Sequence, residues 1–320
     1  MRTNKNVVYI EGYVYNFSLF ANVAGPNSKN PGQEYINGTV NIATDEDGIN
    51  IVSVRYTYVI PTWKSGKENE TYTILQALLN GAPTWEKNGK DKATKLRIQG
   101  DVEVNDFMGR DGSMVETKQV RGGFTHYAND GFRDKRNNFE TDMIITHTNL
   151  VEVEDGDDYM NISGYVMNFR NDLIPVTYTL IDNNGIKYFE SLDISLNNPY
   201  YVYVWGKIVS TTQKVEKQVE TAWGAPQVEY TTRTLRMWKM EGCAPEPYEW
   251  DDENTITIAE FKAGLQAREE QKAEAKARAE ARNTTTTGQN GFPSTTNDDL
   301  PFTPTSSKPN SPTAASNFKF

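Results

Sequence analysis

Apolar and polar residues alternate in short runs along most of residues 1–245, and these runs are rich in Val, Ile, Thr and Tyr. A period of two predicts strands that bury one face, and the Gly, Asn and Asp residues between the runs predict turns. The predicted strands form two sets of five: 7–17, 36–44, 49–60, 96–104 and 115–124, then 159–169, 176–181, 186–194, 200–209 and 230–239. One helix is predicted inside the first set, over 71–79, because Asn80 and Gly81 are typical of a helix C-terminus.

A six-residue motif occurs twice, as GYVYNF at 12–17 and as GYVMNF at 164–169. Two weaker matches follow in the same order: a Gly-containing turn at 44–49 and 181–186, and an apolar-x-Gly segment at 98–102 and 204–208. Matches in a constant order predict a duplicated domain, and a glycine in mid-strand is typical of a bend where a barrel curls. The sequence therefore predicts a mainly β protein with two tandem OB-fold domains, which are five-stranded Greek-key barrels that each begin with the GYVxNF strand.

The composition changes after the second set of strands. Residues 246–282 are rich in Ala, Glu, Lys and Arg, and Thr257 and Glu260 have the spacing of a capping box, so a charged α-helix is predicted. The remaining residues are mostly Thr, Ser, Pro and Asn, which are too polar to bury a core. The predicted organisation is a first OB-fold domain at 1–128, an acidic linker at 129–158, a second OB-fold domain at 159–245, the charged helix at 246–282 and a disordered tail at 283–320 that contains the sequence DDLPF.

The residue types that carry catalysis or bind metals are scarce. The chain has a single cysteine, Cys243, and two histidines, His126 and His147, in unrelated sequence contexts. A lone cysteine excludes an intrachain disulfide and a thiolate metal cluster, and no glycine-rich phosphate loop occurs. We expect a protein that is not an enzyme and that has no cofactor.

The charge and hydropathy of the sequence predict a soluble protein that has no overall positive electrostatic potential. The formal net charge is −10, but the acidic excess is concentrated at 140–158 and 246–282, and the rest of the chain is close to neutral. No apolar run approaches the ~20 residues of a transmembrane helix, and the first residues lack the apolar stretch of a signal peptide. We expect a cytoplasmic location, in the host cytoplasm if a phage encodes the protein, and no membrane partner.

Aromatic and basic side chains share the outward positions of several predicted strands. In the first strand Val8, Ile10 and Val14 would face the core, so Tyr13 and Tyr15 would face outward. Rings that stack on bases, together with Lys and Arg that contact phosphates, are what the binding of single-stranded DNA requires. The residues predicted to bind DNA are Tyr13, Tyr15, Phe17, Arg55, Arg97, Phe107, Arg110, Tyr165, Phe169, Tyr203, Trp205, Lys207, Trp238 and Lys239. Tyrosine also favours strands for structural reasons, so the alternative is that these rings pack between the barrels or under loops.

Several segments resemble the bacterial and phage single-stranded DNA-binding proteins. Residues 96–102 (LRIQGDV), 107–112 (FMGRDG) and 115–120 are similar to the fourth strand, the long loop and the fifth strand of that family. Residues 297–302 (NDDLPF) are similar to the acidic tip through which those proteins recruit replication and repair enzymes, although here 18 residues follow Phe302.

The resemblance implies sequence-nonspecific binding and protection of single-stranded DNA during replication or recombination, and two fused barrels favour a phage-encoded protein. It also implies that replication or recombination proteins bind Asp298, Asp299, Leu300, Pro301 and Phe302. Two alternatives stay open. One is a structural or assembly protein of a virion that uses its β domains for protein contacts, and the other is an OB-type carbohydrate-binding protein.

Overall fold

The computed structural model describes residues 4–109, 113–133, 136–153, 158–219, 227–250 and 255–286. Its first half contains β1 (Asn6–Val23), β2 (Glu34–Ala43), β3 (Ile51–Val59), α1 (Glu70–Leu79), the single turn α2 (Trp85–Asn88), β4 (Lys95–Met108) and β5 (Met114–Tyr127). Its second half contains β6 (Asn137–Val151), β7 (Tyr159–Met167), β8 (Leu173–Leu180), α3 (Asn183–Glu190), β9 (Tyr200–Val219), β10 (Gln227–Cys243) and α4 (Ile258–Thr286). The predicted helix in the first set of strands is confirmed as α1.

Each half closes into a five-stranded barrel with the same strand order. In barrel 1 the order is β1-β2-β3-β5-β4, and β4 pairs with β1 again. In barrel 2 the order is β6-β7-β8-β10-β9, and β9 returns to β6. The third and fifth strands of each barrel pair in parallel, as expected when a Greek-key connection separates them. The prediction of a mainly β protein with two tandem OB-fold barrels, followed by a helix, is confirmed.

The first strands of the two barrels join them into one sheet. β1 pairs with β6 in antiparallel register, from Asn6 opposite Thr141 to Ile10 opposite Asn137. Apolar side chains fill both barrels, with Ile10 of β1 and Phe139 of β6 fully buried. The outer surfaces of the two barrels are therefore continuous across β1 and β6.

The acidic linker predicted at 129–158 is corrected, because β6 occupies most of this segment. Met143 and Ile145 of β6 are fully buried in barrel 2, whereas Glu140 and Asp142 occupy outer positions of the same strand. The acidic residues that suggested a linker are thus the outer side of a strand. The second copy of the motif begins in β7, the second strand of barrel 2, and not in its first strand. The domain limits otherwise stay predictions.

The segment 186–194 was predicted to be a strand, but most of it forms α3. The carboxylate of Asp182 accepts a hydrogen bond from the N–H of Gly185 at 2.8 Å, which caps a helix instead of closing a hairpin. Ile186 and Phe189, three residues apart, are both buried, as the period of a helix requires.

The turn at 44–49 does close a hairpin, between β2 and β3. The carboxylate of Asp45 accepts hydrogen bonds from the N–H groups of Ile49 at 2.9 Å and Asn50 at 2.7 Å. These two bonds hold the connection between the second and third strands of barrel 1.

Helix α4 begins with the predicted capping box. The Thr257 hydroxyl accepts a hydrogen bond from the N–H of Glu260 at 3.1 Å, and the Glu260 carboxylate accepts one from the N–H of Thr257 at 2.9 Å. Residues 283–286 belong to this helix and not to the predicted tail, and the rest of that tail, with DDLPF at 298–302, lies outside the described residues. Among the described helices, none combines the length and the apolar composition needed to span a membrane.

The glycines of the repeated motif stand where a side chain cannot fit. A Cβ atom on Gly12 would lie 2.0 Å from the carbonyl oxygen of Ala43, and a Cβ atom on Gly164 would lie 2.0 Å from the carbonyl oxygen of Ile144. In both barrels the motif glycine therefore allows the first two strands to approach closely. This shared role explains the recurrence of the motif on different strands.

Replacing Gly12 or Gly164 by alanine is expected to lower the free energy of unfolding by about 3 kcal/mol, because backbone must move to relieve the overlap. Urea denaturation followed by circular dichroism measures the loss. Gly25→Ala is the matched control, since a Cβ atom there meets nothing within 4 Å. Motif variants as stable as the Gly25 variant would contradict the close approach of the strands.

Candidate nucleic-acid interface

The outer side chains of β4, β1, β6 and β9 form a continuous surface across the joint between the barrels, which we call the junction face. Its central row consists of Gln99, Tyr9, Asn138 and Lys207, paired strand to strand. The strand register places five of the predicted DNA-binding residues on this face: Tyr13, Arg97, Tyr203, Trp205 and Lys207. The structure thus brings predicted residues of both barrels onto one surface.

Tyr13 is covered on this surface. Its ring packs edge-on against Trp85 with 5.4 Å between centroids, and only 8% of the residue is exposed. The Tyr13 hydroxyl donates a hydrogen bond to Glu46 at 3.2 Å. Lys90 and Arg136, each 2.7 Å from Glu46, lower the pKa of that carboxyl to about 2. The cluster connects the β2–β3 turn to α2 and to the segment before β6. Tyr13 therefore has a structural role.

Most cations of the junction face are already paired. Arg97 donates hydrogen bonds to Glu11 at 2.9 Å and to Asp130 at 3.1 Å, and Glu11 is almost fully buried. Lys207 forms an ion pair with Glu241 at 3.1 Å. Cations that are neutralised within the protein attract phosphates less than unpaired cations do. The junction face is therefore a weak site for an anionic strand.

Tyr203 and Trp205 are partly exposed and lie 5.4 Å apart between ring centroids. The ammonium of Lys5 lies 4.8 Å from the centre of the Tyr203 ring. A Cβ atom on Gly242 would lie 2.5 Å from the Trp205 ring, so β10 packs directly against that ring. These two rings are held by neighbours within the chain and present only part of their surface.

Trp238 lies in the core of barrel 2, which removes it from the predicted set. The residue is 9% exposed, and its ring stacks on Tyr178 at 6.1 Å and packs against Phe139 at 5.4 Å. Trp238 occupies an inward position of β10, while the next residue, Lys239, is paired with Lys207 of β9 at an outer position. A ring enclosed in this way cannot stack on a base.

A β-bulge changes the alternation of β1. The register with β2 shifts between Val14 and Asn16, which leaves one extra residue in β1. After this residue, the positions that alternation predicts to face outward face the core, and the other positions face outward. Phe17, predicted to face outward, therefore packs against the core. Tyr15 is partly buried and lies 6.2 Å from the Trp85 ring.

The remaining predicted residues lie apart from the junction face or beneath other elements. Tyr165 lies beneath α4, with its ring 5.9 Å from that of Phe261. Phe169 is 72% exposed at the β7–β8 turn, and Phe107 is 45% exposed near the end of β4. Arg110 lies outside the described residues.

The most accessible aromatic cluster lies on the outer surface of β2, β3 and β5 in barrel 1, with the loop after β3. We call this surface the open face, and its rings are Tyr35, Tyr58, Trp63 and Phe124. Tyr35 and Tyr58 lie 4.6 Å apart, and Trp63 and Phe124 lie 6.1 Å apart. Tyr58, Trp63 and Phe124 are 44%, 42% and 56% exposed. The open face therefore presents two pairs of rings to solvent.

An arginine pair lies beside these rings. Arg55 of β3 is opposite Arg121 of β5 in the parallel register. Arg121 is hydrogen-bonded to Asp101, whereas Arg55 is exposed and has no ion-pair partner among the described residues. Arg55 is thus a cation of this face that is available for a phosphate.

A tight turn after β3 adds further cations. The N–H of Trp63 donates to the carbonyl of Lys67, and the N–H of Gly66 donates to the carbonyl of Trp63, both at 2.8 Å. The turn presents Trp63 between β3 and α1 together with the exposed Lys64 and Lys67. Glu70, at the start of α1, is hydrogen-bonded to His126.

Of the open face, only Arg55 was predicted from the sequence. Strict alternation would place Tyr58 on the inner side of β3, with the buried residues Val54 and Tyr56. The register shift near the end of the β2–β3 pair instead places Tyr58 on the outer side. Trp63 lies between the predicted strand at 49–60 and the predicted helix at 71–79, and an aromatic residue followed by two lysines in a Gly-containing turn is a usable signal for nucleic-acid binding.

Comparisons with known proteins place the chain in a family. No curated protein sequence matches it. Among solved structures, it is similar to the wild-type single-stranded DNA binding protein from Thermus aquaticus, with 12% identity, a TM-score of 0.45, and coverage of 79% of this chain and 97% of that chain. A deletion mutant of the same protein gives 14% identity, a TM-score of 0.43, and coverage of 79% and 98%. A family model described as YorF matches residues 5–278, which is most of the chain, so this protein belongs to the YorF family.

Proposed function

We propose that the protein binds single-stranded DNA without sequence preference through the open face of barrel 1. The observation that carries the proposal is one ring pair on the second and third strands of an OB barrel and another on the fifth strand and the loop after the third, together with Arg55 of the third strand, which has no ion-pair partner among the described residues. That surface binds oligonucleotides in the OB-fold. Rings accept any base, at ~1–3 kcal/mol for each stacked base, and cations follow the backbone.

Phe169 extends the proposed path toward barrel 2. Its ring centre lies 5.3 Å from the guanidinium of Arg121, the neighbour of Arg55, and 5.0 Å from the guanidinium of Arg170. A strand of DNA that stacks at Tyr58 would meet the two arginines and then the Phe169 ring. Arg55 and Phe169 are the two originally predicted residues that this path uses.

A coat of this kind would protect single-stranded DNA during replication or recombination. The resemblance of the sequence to bacterial and phage single-stranded DNA-binding proteins supports this role, a cytoplasmic location and a phage source. It also supports recruitment of replication or recombination proteins through Asp298 to Phe302. A virion assembly protein is the alternative function, since exposed rings also form protein contacts.

Binding of a fluorescent oligo-dT of about 20 nucleotides, measured by anisotropy at several salt concentrations, tests the proposal. We expect saturable binding whose affinity falls steeply with salt, because phosphate contacts release counterions. Arg55→Ala is expected to reduce the slope of log K against log salt by about 0.7, the contribution of one phosphate contact in a single strand.

Lys187→Ala is the matched control, because Lys187 is exposed on α3 and has no ion-pair partner among the described residues. This variant should retain the wild-type slope. Absence of binding at low salt, or an affinity that does not change with salt, would contradict the proposal and favour the assembly function.

A further inference from the structure

Helix α4 packs against the outer surface of barrel 2. Its Phe261 is 2% exposed, and the ring lies 5.9 Å from Tyr165 of β7 and 6.0 Å from Trp250. A Cβ atom on Gly264, one turn further along, would lie 2.9 Å from the side chain of Leu173 in β8. The first turns of α4 therefore cover part of the second and third strands of barrel 2.

These strands correspond to β2 and β3 of barrel 1, which carry the open face. In each barrel these are the second and third strands of the same strand order, and the third strand pairs in parallel with the fifth. In barrel 1 the rings of this region are exposed. In barrel 2 the Phe261 ring packs on Tyr165, where a base would otherwise stack. Within the described part of the chain, no helix equivalent to α4 lies on barrel 1.

A buried ionic cluster holds the next turns of α4. Arg268 donates hydrogen bonds to Asp106 at 2.6 Å and to Glu116 at 3.2 Å, and Lys272 lies 2.8 Å from Glu116. The Arg268 side chain is only 7% exposed. Both carboxylates belong to the β4–β5 hairpin of barrel 1, so the cluster fixes α4 to barrel 1 while its first turns rest on barrel 2.

The same hairpin lies against β8. Lys118 of β5 donates a hydrogen bond to the carbonyl of Thr177, and its ammonium lies 5.0 Å from the Tyr178 ring. An open groove of about 310 Å³ lies between the hairpin and barrel 2, lined by polar and aromatic groups that include Ser163 and Tyr165. The groove therefore has a ring, hydroxyl groups and the amine of Lys118, whose pKa burial lowers to about 7.

We infer that the outer face of β7 and β8 is a second site for single-stranded DNA, which α4 holds closed, so that each chain holds one DNA segment, along the open face, until the helix is released. This inference rests on the proposed function. When open, the site would offer Tyr165 for stacking and Lys118 for the backbone, without Phe169, which the open-face path already uses. Release of α4 would double the number of DNA segments that one chain holds.

The stoichiometry of binding to an oligo-dT of about 8 nucleotides tests this inference, with the full chain and isothermal titration calorimetry. Wild type is expected to bind one oligonucleotide. Asp106→Asn with Glu116→Gln is expected to bind two, because the change leaves the buried Arg268 without its carboxylates and removes two acidic groups beside the site. Phe261→Ala loosens the helix by a different route and should also bind two.

Two controls separate release of α4 from a general gain of positive charge. Asp91→Asn with Glu190→Gln changes the net charge equally, away from α4, at two exposed residues without an ion-pair partner in the described part of the chain, and should still bind one. Leu173→Cys with Gly264→Cys, added to the Asp106 and Glu116 changes in a Cys243→Ser background, joins α4 to β8 when oxidised. Oxidation should return the stoichiometry to one, and reduction should restore two.

A wild-type stoichiometry of two would overturn the inference, as would a stoichiometry of one in both loosened variants. A stoichiometry of two in the oxidised disulfide variant would also overturn it. Failure of wild type to bind any oligonucleotide is a different result, because it would contradict the proposed function itself.

Discussion

Trp238→Ala is expected to lower the free energy of unfolding by about 3–5 kcal/mol, the usual range for removing a large aromatic side chain from a core. Trp238 is 9% exposed and shares the interior of barrel 2 with Phe139 and Tyr178, both fully buried. The ammonium of Lys118, 4.9 Å from the Trp238 ring centre, covers the ring from the side of barrel 1. Truncation would leave a cavity beneath the contact between the two barrels.

Urea denaturation measures this loss, and Trp63→Ala is the matched control. Trp63 is 42% exposed, so its replacement should change the free energy of unfolding by no more than about 0.5 kcal/mol. Folded Trp238→Ala should still bind oligo-dT, whereas Trp63→Ala should bind it weakly. Equal stability of the two variants would contradict the enclosed position of Trp238.

Much of barrel 1 follows from local alternation. Val52, Val54 and Tyr56 of β3 are buried and Ser53 and Arg55 between them are exposed, which is the period of a strand with one buried face. The order of strand, strand, strand, helix, strand and strand then points to the OB-fold. These features depend on neighbours close in sequence, so the sequence alone predicts them well.

Barrel 2 was predicted less well because its signals conflict with its structure. β6 carries Glu140 and Asp142 on its outer side, and the many acidic residues of this segment suggested a linker. The buried residues Phe139, Met143 and Ile145 nevertheless follow the alternation of a strand. The repeated motif was misleading for a different reason. Its glycine is needed where the first two strands of a barrel approach closely. Gly12 lies on the first strand of barrel 1, whereas Gly164 lies on the second strand of barrel 2.

The candidate site could be predicted only in part, because facing outward is not the same as being accessible. Tyr13, Arg97 and Tyr165 occupy outer positions as predicted, but a loop cluster, an ion pair and α4 cover them. Which outer surface stays uncovered depends on contacts between distant segments, such as Arg268 with Asp106. Local bulges add a further obstacle, since they moved Phe17 inward and Tyr58 outward.

The affinity of a variant that carries both Tyr58→Ala and Trp63→Ala for oligo-dT, at one fixed low salt concentration, tests the central claim most directly. Each lost ring removes ~1–3 kcal/mol of stacking, so the Kd should rise roughly 30-fold or more. The matched control carries both Tyr203→Ala and Trp205→Ala, which removes two rings from the junction face. The open-face account predicts a large loss for the first variant and a small one for the second. An unchanged Kd for the first variant, with a large loss for the second, would contradict the account and move the DNA to the junction face.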